Sequence, residues 1–335
     1  MEAIKDKLKY HSLLLMTSVI IIFSFLNLFQ GYSLVGKTFQ GFSIGFSLYI
    51  SPGAQEEWTG FNAFQDYDQI IAVNDKKVTN IDQFNHFIQN TLPGTPIKYT
   101  FSRSNKVYNA NVQTMEFTLK DFFTTYFLTF FIALFYLLLS IFVIFKGQKD
   151  DSIKALLLFT FLFSGSIICF YDQQYTHKFV ILSYFIQTFL VTSLVELGVL
   201  LSKKYLNSNI KNVISNLNIF IATILGSIII VTSSFIKNDL SYYPVITDLF
   251  SKSFDFLVFY IALGFLVFTA LIAFSFIKSP FNSLEKMQTR IIFTGALLSF
   301  TPYIIFWLIP TLFGHKASIS NLLLTFSLFP FFVIY

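Results

Sequence analysis

Residues 67–84 read Tyr67-Asp68-Gln69-Ile70-Ile71-Ala72-Val73-Asn74-Asp75-Lys76-Lys77-Val78-Thr79-Asn80-Ile81-Asp82-Gln83-Phe84. Ile70 to Val73 is an apolar run of strand length, and Asn74-Asp75-Lys76 carries the chemistry of a turn into Lys77-Val78. Asn80 or Asp82 can cap a helix that buries Phe84, Phe87 and Ile88, spaced i, i+3 and i+4. Leu92-Pro93-Gly94-Thr95 stops that helix. Two more strands are expected at Pro96–Arg103 and Val107–Thr114, around the polar turn Ser104-Asn105-Lys106. Upstream, Phe42, Ile44, Phe46 and Leu48 alternate with Ser43, Gly45 and Ser47, the pattern of a strand with one apolar face. These signals define a polar α+β insert, from about Gln30 to Leu119, in a chain that is otherwise apolar.

The surrounding composition is that of a membrane protein. Of 335 residues, 54% are hydrophobic, 46 are Phe and only 12% are charged. A soluble domain is about 25% charged, so most of this chain cannot face water. Eight stretches of 17 residues or more are long and apolar enough for a helix to cross hydrocarbon: Ser12–Phe29, Phe122–Phe145, Ala155–Tyr171, Phe179–Leu201, Val213–Ile236, Phe256–Ile277, Ile291–Leu312 and Ile319–Tyr335. Lys5, Lys7 and Lys9 precede the first, but its apolar run exceeds a signal-peptide core and no small-residue cleavage site follows, so it reads as an uncleaved anchor.

Basic residues set the expected orientation. With the N-terminus in the cytoplasm, inner segments hold twelve, from Lys5 and Lys146 through Lys203 to Arg290, and short outer loops hold Lys178, Lys237, Lys252 and Lys316. The other seven of the 23 belong to the insert region. Both termini are then cytoplasmic and the insert extracytoplasmic, in a plasma membrane. The net charge of +5 is a topology signal, and no nucleic-acid partner is implied; membrane lipid is the expected surroundings. The single cysteine, Cys169, falls inside the third span as a small apolar filler, so the insert must hold together without disulfides.

Chemistry-bearing motifs are missing. There is no His-Glu-x-x-His, Gly-x-Ser-x-Gly elbow, Walker loop or aspartyl pair, and His11, His86, His177 and His315 are scattered. No catalytic residue, metal ligand or cofactor is therefore expected. Glu196 is the one carboxylate well within a span, where an ionisable group costs enough to need a packing or signalling task. Pro302 and Pro310 each remove a backbone hydrogen bond from the seventh span and invite a kink. Asp172, Gln173, Gln174 and His177 form a short outer turn.

Two resemblances add to this reading. Ser51-Pro52-Gly53-Ala54-Gln55 and Asp68-Gln69-Ile70-Ile71-Ala72-Val73-Asn74-Asp75 resemble the Pro-Gly-Ser-Ala turn and Gly-Asp-x-Ile-x-x-Val-Asn-Gly core of bacterial PDZ domains. Tyr67 and Asp75 stand where that pattern has Gly. The resemblance implies a peptide groove between Gly41-Phe42-Ser43-Ile44 and the helix bearing Phe84, Phe87 and Ile88. The layout of anchor, outer PDZ-like module and Phe-rich bundle is similar to the sensor half of ComP-type quorum-sensing histidine kinases. So is the closing stretch Ser299-Phe300-Thr301-Pro302, Leu308-Ile309-Pro310 and Phe329-Pro330-Phe331.

The expected fold is thus a polytopic α-helical membrane protein of about eight spans, with a small α+β PDZ-like domain between spans 1 and 2. Residues 1–29 hold the first span, 30–119 the module and 120–335 a seven-span bundle that reads as truncated before a cytoplasmic output domain. The resemblance implies a two-component receptor region that senses an extracellular, often isoprenoid-modified, peptide pheromone and works as a homodimer. The kinase core is absent, so this chain is expected not to be an enzyme, though a full-length protein would be a histidine kinase. The competing expectation is a membrane adaptor whose module captures C-termini of exported proteins.

Overall fold

The computed structural model describes residues 2–51, 55–65, 68–103, 106–146, 151–236, 244–280 and 284–312. Helix α1 (Glu2–Tyr32) enters the insert through β1 (Thr38–Phe39). The module continues with β2 (Gln69–Val73), β3 (Lys76–Lys77), α2 (Ile81–Gln89), β4 (Pro96–Arg103), β5 (Lys106–Gln113) and β6 (Met115–Glu116). The bundle follows as α3 (Leu119–Phe122), α4 (Leu128–Lys146), α5 (Asp151–Tyr171), α6 (Val180–Leu201), α7 (Ser208–Ile236), α8 (Pro244–Lys278), α9 (Leu284–Tyr303) and α10 (Ile309–Leu312). Widened π-turns interrupt it at Phe123–Phe127, Asp172–Thr176 and Ile304–Leu308.

The module is an antiparallel sheet ordered β3-β2-β4-β5, covered by α2, with β1 and β6 paired apart from it. Period-two alternation turns Ile97, Tyr99 and Phe101 of β4 to one face, and a register shift between Ile70 and Ala72 brings both Ile70 and Val73 of β2 to it; with Val112 they meet Ile81, Phe84 and Ile88 of α2, which close the core. Asn80 caps α2, its side chain accepting the Gln83 amide at 2.9 Å. Arg103 forks onto the buried Asp68 carboxylate at 2.7 and 2.6 Å, which ties the end of β4 to the approach to β2. Between β2 and β3, Asn74 (φ 47°) and Asp75 (φ 62°) both take the left-handed conformation of a tight hairpin turn. Position 75, where the PDZ pattern has Gly, is therefore a place where a Cβ costs energy.

Five described helical stretches are long and apolar enough to cross a membrane: Leu119–Leu138, Lys154–Thr176, Val180–Leu201, Ser208–Ile236 and Asp248–Lys278. They coincide with the second to sixth expected spans. The apolar described part of α1, Ser18–Tyr32, is shorter. The seventh expected span is helical to Leu312, as α9, the π-turn Ile304–Leu308 and α10 in succession. The eighth, Ile319–Tyr335, lies outside the described residues.

Helix α6 is the axis of the bundle and packs against α5, α7 and α8. Small residues allow that: a Cβ on Gly264 of α8 would sit 2.4 Å from Val191, and one on Gly198 would sit 3.0 Å from Phe268. Large apolar side chains elsewhere on α7 and α8, such as Phe220, Val231, Phe259 and Leu266, point outward, as a lipid-facing surface requires.

Replacing Asp68 by Asn leaves the guanidinium without its counter-charge, and with Arg103 partly solvated the module should lose about 1.5–3 kcal/mol. Faster amide exchange in β2 and β4, with α6–α8 unchanged, is the readout. Asp75→Gly relieves the left-handed strain and gives up only an exposed ion pair with Lys98. Exposed pairs contribute about 0–1 kcal/mol, so the module should be stabilised by about 0.5 kcal/mol, read as slower exchange in β2.

Candidate functional site

The stretch Phe42–Ile50 is not the single strand its alternation predicts. Gly45 and Tyr49 close a tight hairpin: Gly45 N donates to Tyr49 O at 2.7 Å, Leu48 N to Gly45 O at 2.9 Å, and Leu48 takes φ 64°. Ile44 and Ile50 bridge across it. The apolar residues then divide between two cores. Phe42, Ile44, Leu48 and Ile50 pack inside the module, whereas Phe46, at the tip, lies among Val180, Tyr184 and Phe250 of the bundle. Its ring meets that of Phe250 edge-on at 5.7 Å. The polar face is buried as well, Ser43 fully.

What buries it is the α5–α6 turn. Ser43 Oγ and the Tyr175 hydroxyl are 2.7 Å apart, Ile44 N donates to Gln174 O at 3.4 Å, and His177 Nε2 reaches Ile44 O at 2.9 Å. Asp172 fixes the turn: its buried carboxylate accepts the Thr176 hydroxyl and the amides of Lys178 (3.1 Å) and Phe179 (2.7 Å). Phe179 begins α6 without a cap from its own side chain, so Asp172 serves as a cap in trans. The π-turn closes with His177 N on Asp172 O at 2.7 Å, and His177 is held at φ 54°. Burial pushes the His177 imidazole down to about 4, against the smaller opposing pull of the Ile44 carbonyl and Asp82.

Beside this junction lies a small cleft open to solvent. Thr38 and Phe39 of β1 form one wall, Asn85, Ile88 and Gln89 of α2 the other, and Phe117 and Tyr175 border it too. Lys37 stands at its edge. Phe117 N donates to Lys37 O, and Phe39 pairs with Met115. By antiparallel alternation the Thr38 N–H and C=O therefore point away from β6. A strand edge facing a helix across a cleft is the geometry that admits an added peptide strand.

Of the expected groove residues, Ile88 borders this cleft. Phe42 and Phe84 are fully inside the module core, and Phe87 is half-buried under the Lys76 ammonium. Gly41 turns the chain at φ 79°, its carbonyl accepting Gly60 N at 2.9 Å, while the Ser43 side chain and the Ile44 backbone face the bundle and the Ile44 side chain lies in the module core. Sequence reasoning did not reach Lys37, Thr38 and Tyr175. Gly45 inside the alternating run was the available sign of a hairpin there.

Within the bundle, half-buried Glu196 of α6 accepts the Ser215 hydroxyl of α7. One turn away Asn218 donates to Thr192 O at 3.2 Å and accepts the Tyr260 hydroxyl of α8, so three helices share one polar seam. Pro302 and Pro310 flank the π-turn Ile304–Leu308, far along the chain from that seam. Among the described residues no three His, Cys, Asp or Glu side chains gather as a metal site would require.

Phe46→Ala should empty a core position and cost about 3–5 kcal/mol, spent on the junction rather than on the module. Amide exchange should rise in residues 42–50 and 174–184 and stay unchanged in β4 and β5; equal acceleration throughout would contradict a shared plug. No family model, curated protein or solved structure matches this chain.

Proposed function

We propose that this chain is the membrane-embedded sensing region of a signalling receptor, and that it takes an extracellular peptide in the cleft between β1 and α2. The observation that carries this reading is the double placement of Tyr175. Its ring borders the cleft, and its hydroxyl binds the hairpin from the turn that joins α5 to α6. A ligand seated there touches the end of a helix of membrane-spanning length directly.

In this reading the module is a PDZ-like domain on the extracytoplasmic side, both termini are cytoplasmic, and the output unit is a ComP-type histidine kinase core that acts as a dimer. An apolar side chain of the peptide enters beside Ile88 and Phe117, and Lys37 meets a carboxylate. Burying one such side chain is worth about 1.5–3 kcal/mol. That is enough to shift a two-state bundle by about tenfold or more if it is realised in one state alone. Glu196 and the Pro302–Pro310 segment are the elements through which the shift would pass. An adaptor that only captures C-termini would have no use for a rigid tie between module and bundle, so the receptor reading is preferred.

The test is saturable binding of a labelled peptide fraction from conditioned medium to the purified chain in lipid nanodiscs. Asn85→Trp, which fills the cleft from its rim, and Lys37→Glu, which reverses its edge charge, should each weaken binding at least about tenfold, or 1.4 kcal/mol. Unchanged binding in both variants would remove the cleft from the mechanism, and binding of unrelated apolar C-terminal peptides with equal affinity would favour the adaptor.

A further inference from the structure

The tie between module and bundle contains a titratable group at its centre. In an extended residue the N–H and C=O point to the same side, and both of Ile44's are taken by one turn, through Gln174 O and His177 Nε2. A carbonyl oxygen only accepts, so Nε2 must carry the ring proton. Nδ1 then holds the lone pair, and it is buried with no hydrogen-bond partner among the described residues. The neutral ring fits this site; a second ring proton would add a buried donor with nothing to receive it.

We propose that the contact between the hairpin Ile44–Ile50 and the turn Asp172–Lys178 is an acid-released latch, with His177 as its titrating element and Phe46 as its plug. The charged groups around the ring do not rescue the protonated form. The Asp172 carboxylate in the same turn is already committed to the Thr176 hydroxyl and two amides. Lys178 beside it is of like charge to an imidazolium. Asp82 of α2 favours protonation, but as the weakest of the three influences on the ring. On the hairpin side the titratable group is Tyr49, held neutral by burial and by Asp255 and Asp248.

The sign follows from the depressed value. The docked ring titrates at about 4 and a released one at about 6.5, so between those values the released form binds the extra proton. Docking is complete above pH 6.5, weakens as pH falls towards 4 and changes no further below it. The equilibrium shifts about tenfold per pH unit across this window, about 300-fold in all. The latch needs no peptide and does not depend on which side of the membrane the module occupies.

The experiment is hydrogen exchange of the full chain in lipid nanodiscs at pH 7.5 and 5.0, corrected for intrinsic rates, with β4 and β5 as internal reference. Protection of residues 42–50 should fall about 30-fold at pH 5.0, while the reference strands stay protected. His177→Gln keeps an amide donor towards Ile44 O and cannot titrate there, so its protection should not respond to pH. An undiminished wild-type protection at pH 5.0, or the same acid loss in His177→Gln, overturns the latch. Should His177→Gln fail to dock at all, histidine-labelled wild-type protein decides by NMR. A ring titrating near 4, absent from the spectrum of the variant, supports the proposal, and one near 6.5 overturns it. Loss of pH-responsive ligand binding without loss of this exchange signature would count against the receptor reading alone.

Discussion

A peptide group removed from water must find a partner, and the placement of Ile44 turns that rule into the architecture of the molecule. Its N–H and C=O leave the module on one side and, among the described residues, are answered by the α5–α6 turn. Moving the module off the bundle would cost both groups, and the Ser43 hydroxyl, their protein partners and leave them to water. It would also withdraw Phe46 from an apolar socket. The polar and apolar costs fall on the same few residues, so docking is close to all-or-none. A tethered module on a loose linker would behave differently, since its motion would say nothing to the helices.

The two cores had to be built from one short segment for this to work. The even positions of Phe42–Ile50 would all serve one sheet face if the segment were straight. Turning it at Gly45–Leu48 sends Phe46 away from its neighbours and into the helices. On the other side, a π-turn at Asp172–Thr176 adds a residue to the helical turn and swings Tyr175 and His177 towards the hairpin. Widened turns are uncommon and gather where a side chain must be re-aimed. A second one, Phe123–Phe127, contributes Tyr126, whose ring packs on Tyr175 at 6.2 Å. Two of the three widened turns among the described residues thus meet at the junction.

Much of the frame was legible because hydropathy and period are properties of single segments. The helices α4 to α8 overlap the apolar runs read as the second to sixth spans, though α8 starts earlier, at Pro244, and β4 begins and ends where its alternation and flanking turns do. The hairpin was not legible in the same way. Its apolar residues alternate as a strand's would, and only the partner surface decides that Ser43 is buried rather than exposed. The cleft was missed for a related reason. Thr38 lies in a two-residue strand with no pattern of its own, and Tyr175 is brought to it from a distant part of the chain. The seventh expected span reads as one apolar run; the chain stays helical through it, with Pro302 inside α9 just ahead of the widened turn Ile304–Leu308, where the amide that proline lacks interrupts regular α-helical bonding.

The cleft and the latch share Tyr175, and this has a thermodynamic consequence that neither site has alone. If a ligand in the cleft favours one position of that ring, it must favour whichever docking state holds the ring there. By linkage the docking state then alters the ligand's affinity by the same factor. Ser43 and the hairpin sense the hydroxyl; Phe39 and Phe117 sense the ring. The two influences meet at the end of α5, which packs along α6, and α6 in turn carries the Glu196–Ser215 and Thr192–Asn218 contacts to α7. A displacement at the junction can therefore be absorbed only by repacking that polar seam or by strain in α5. Because close-packed helices have few alternative packings, a discrete switch is the expected response rather than a graded one.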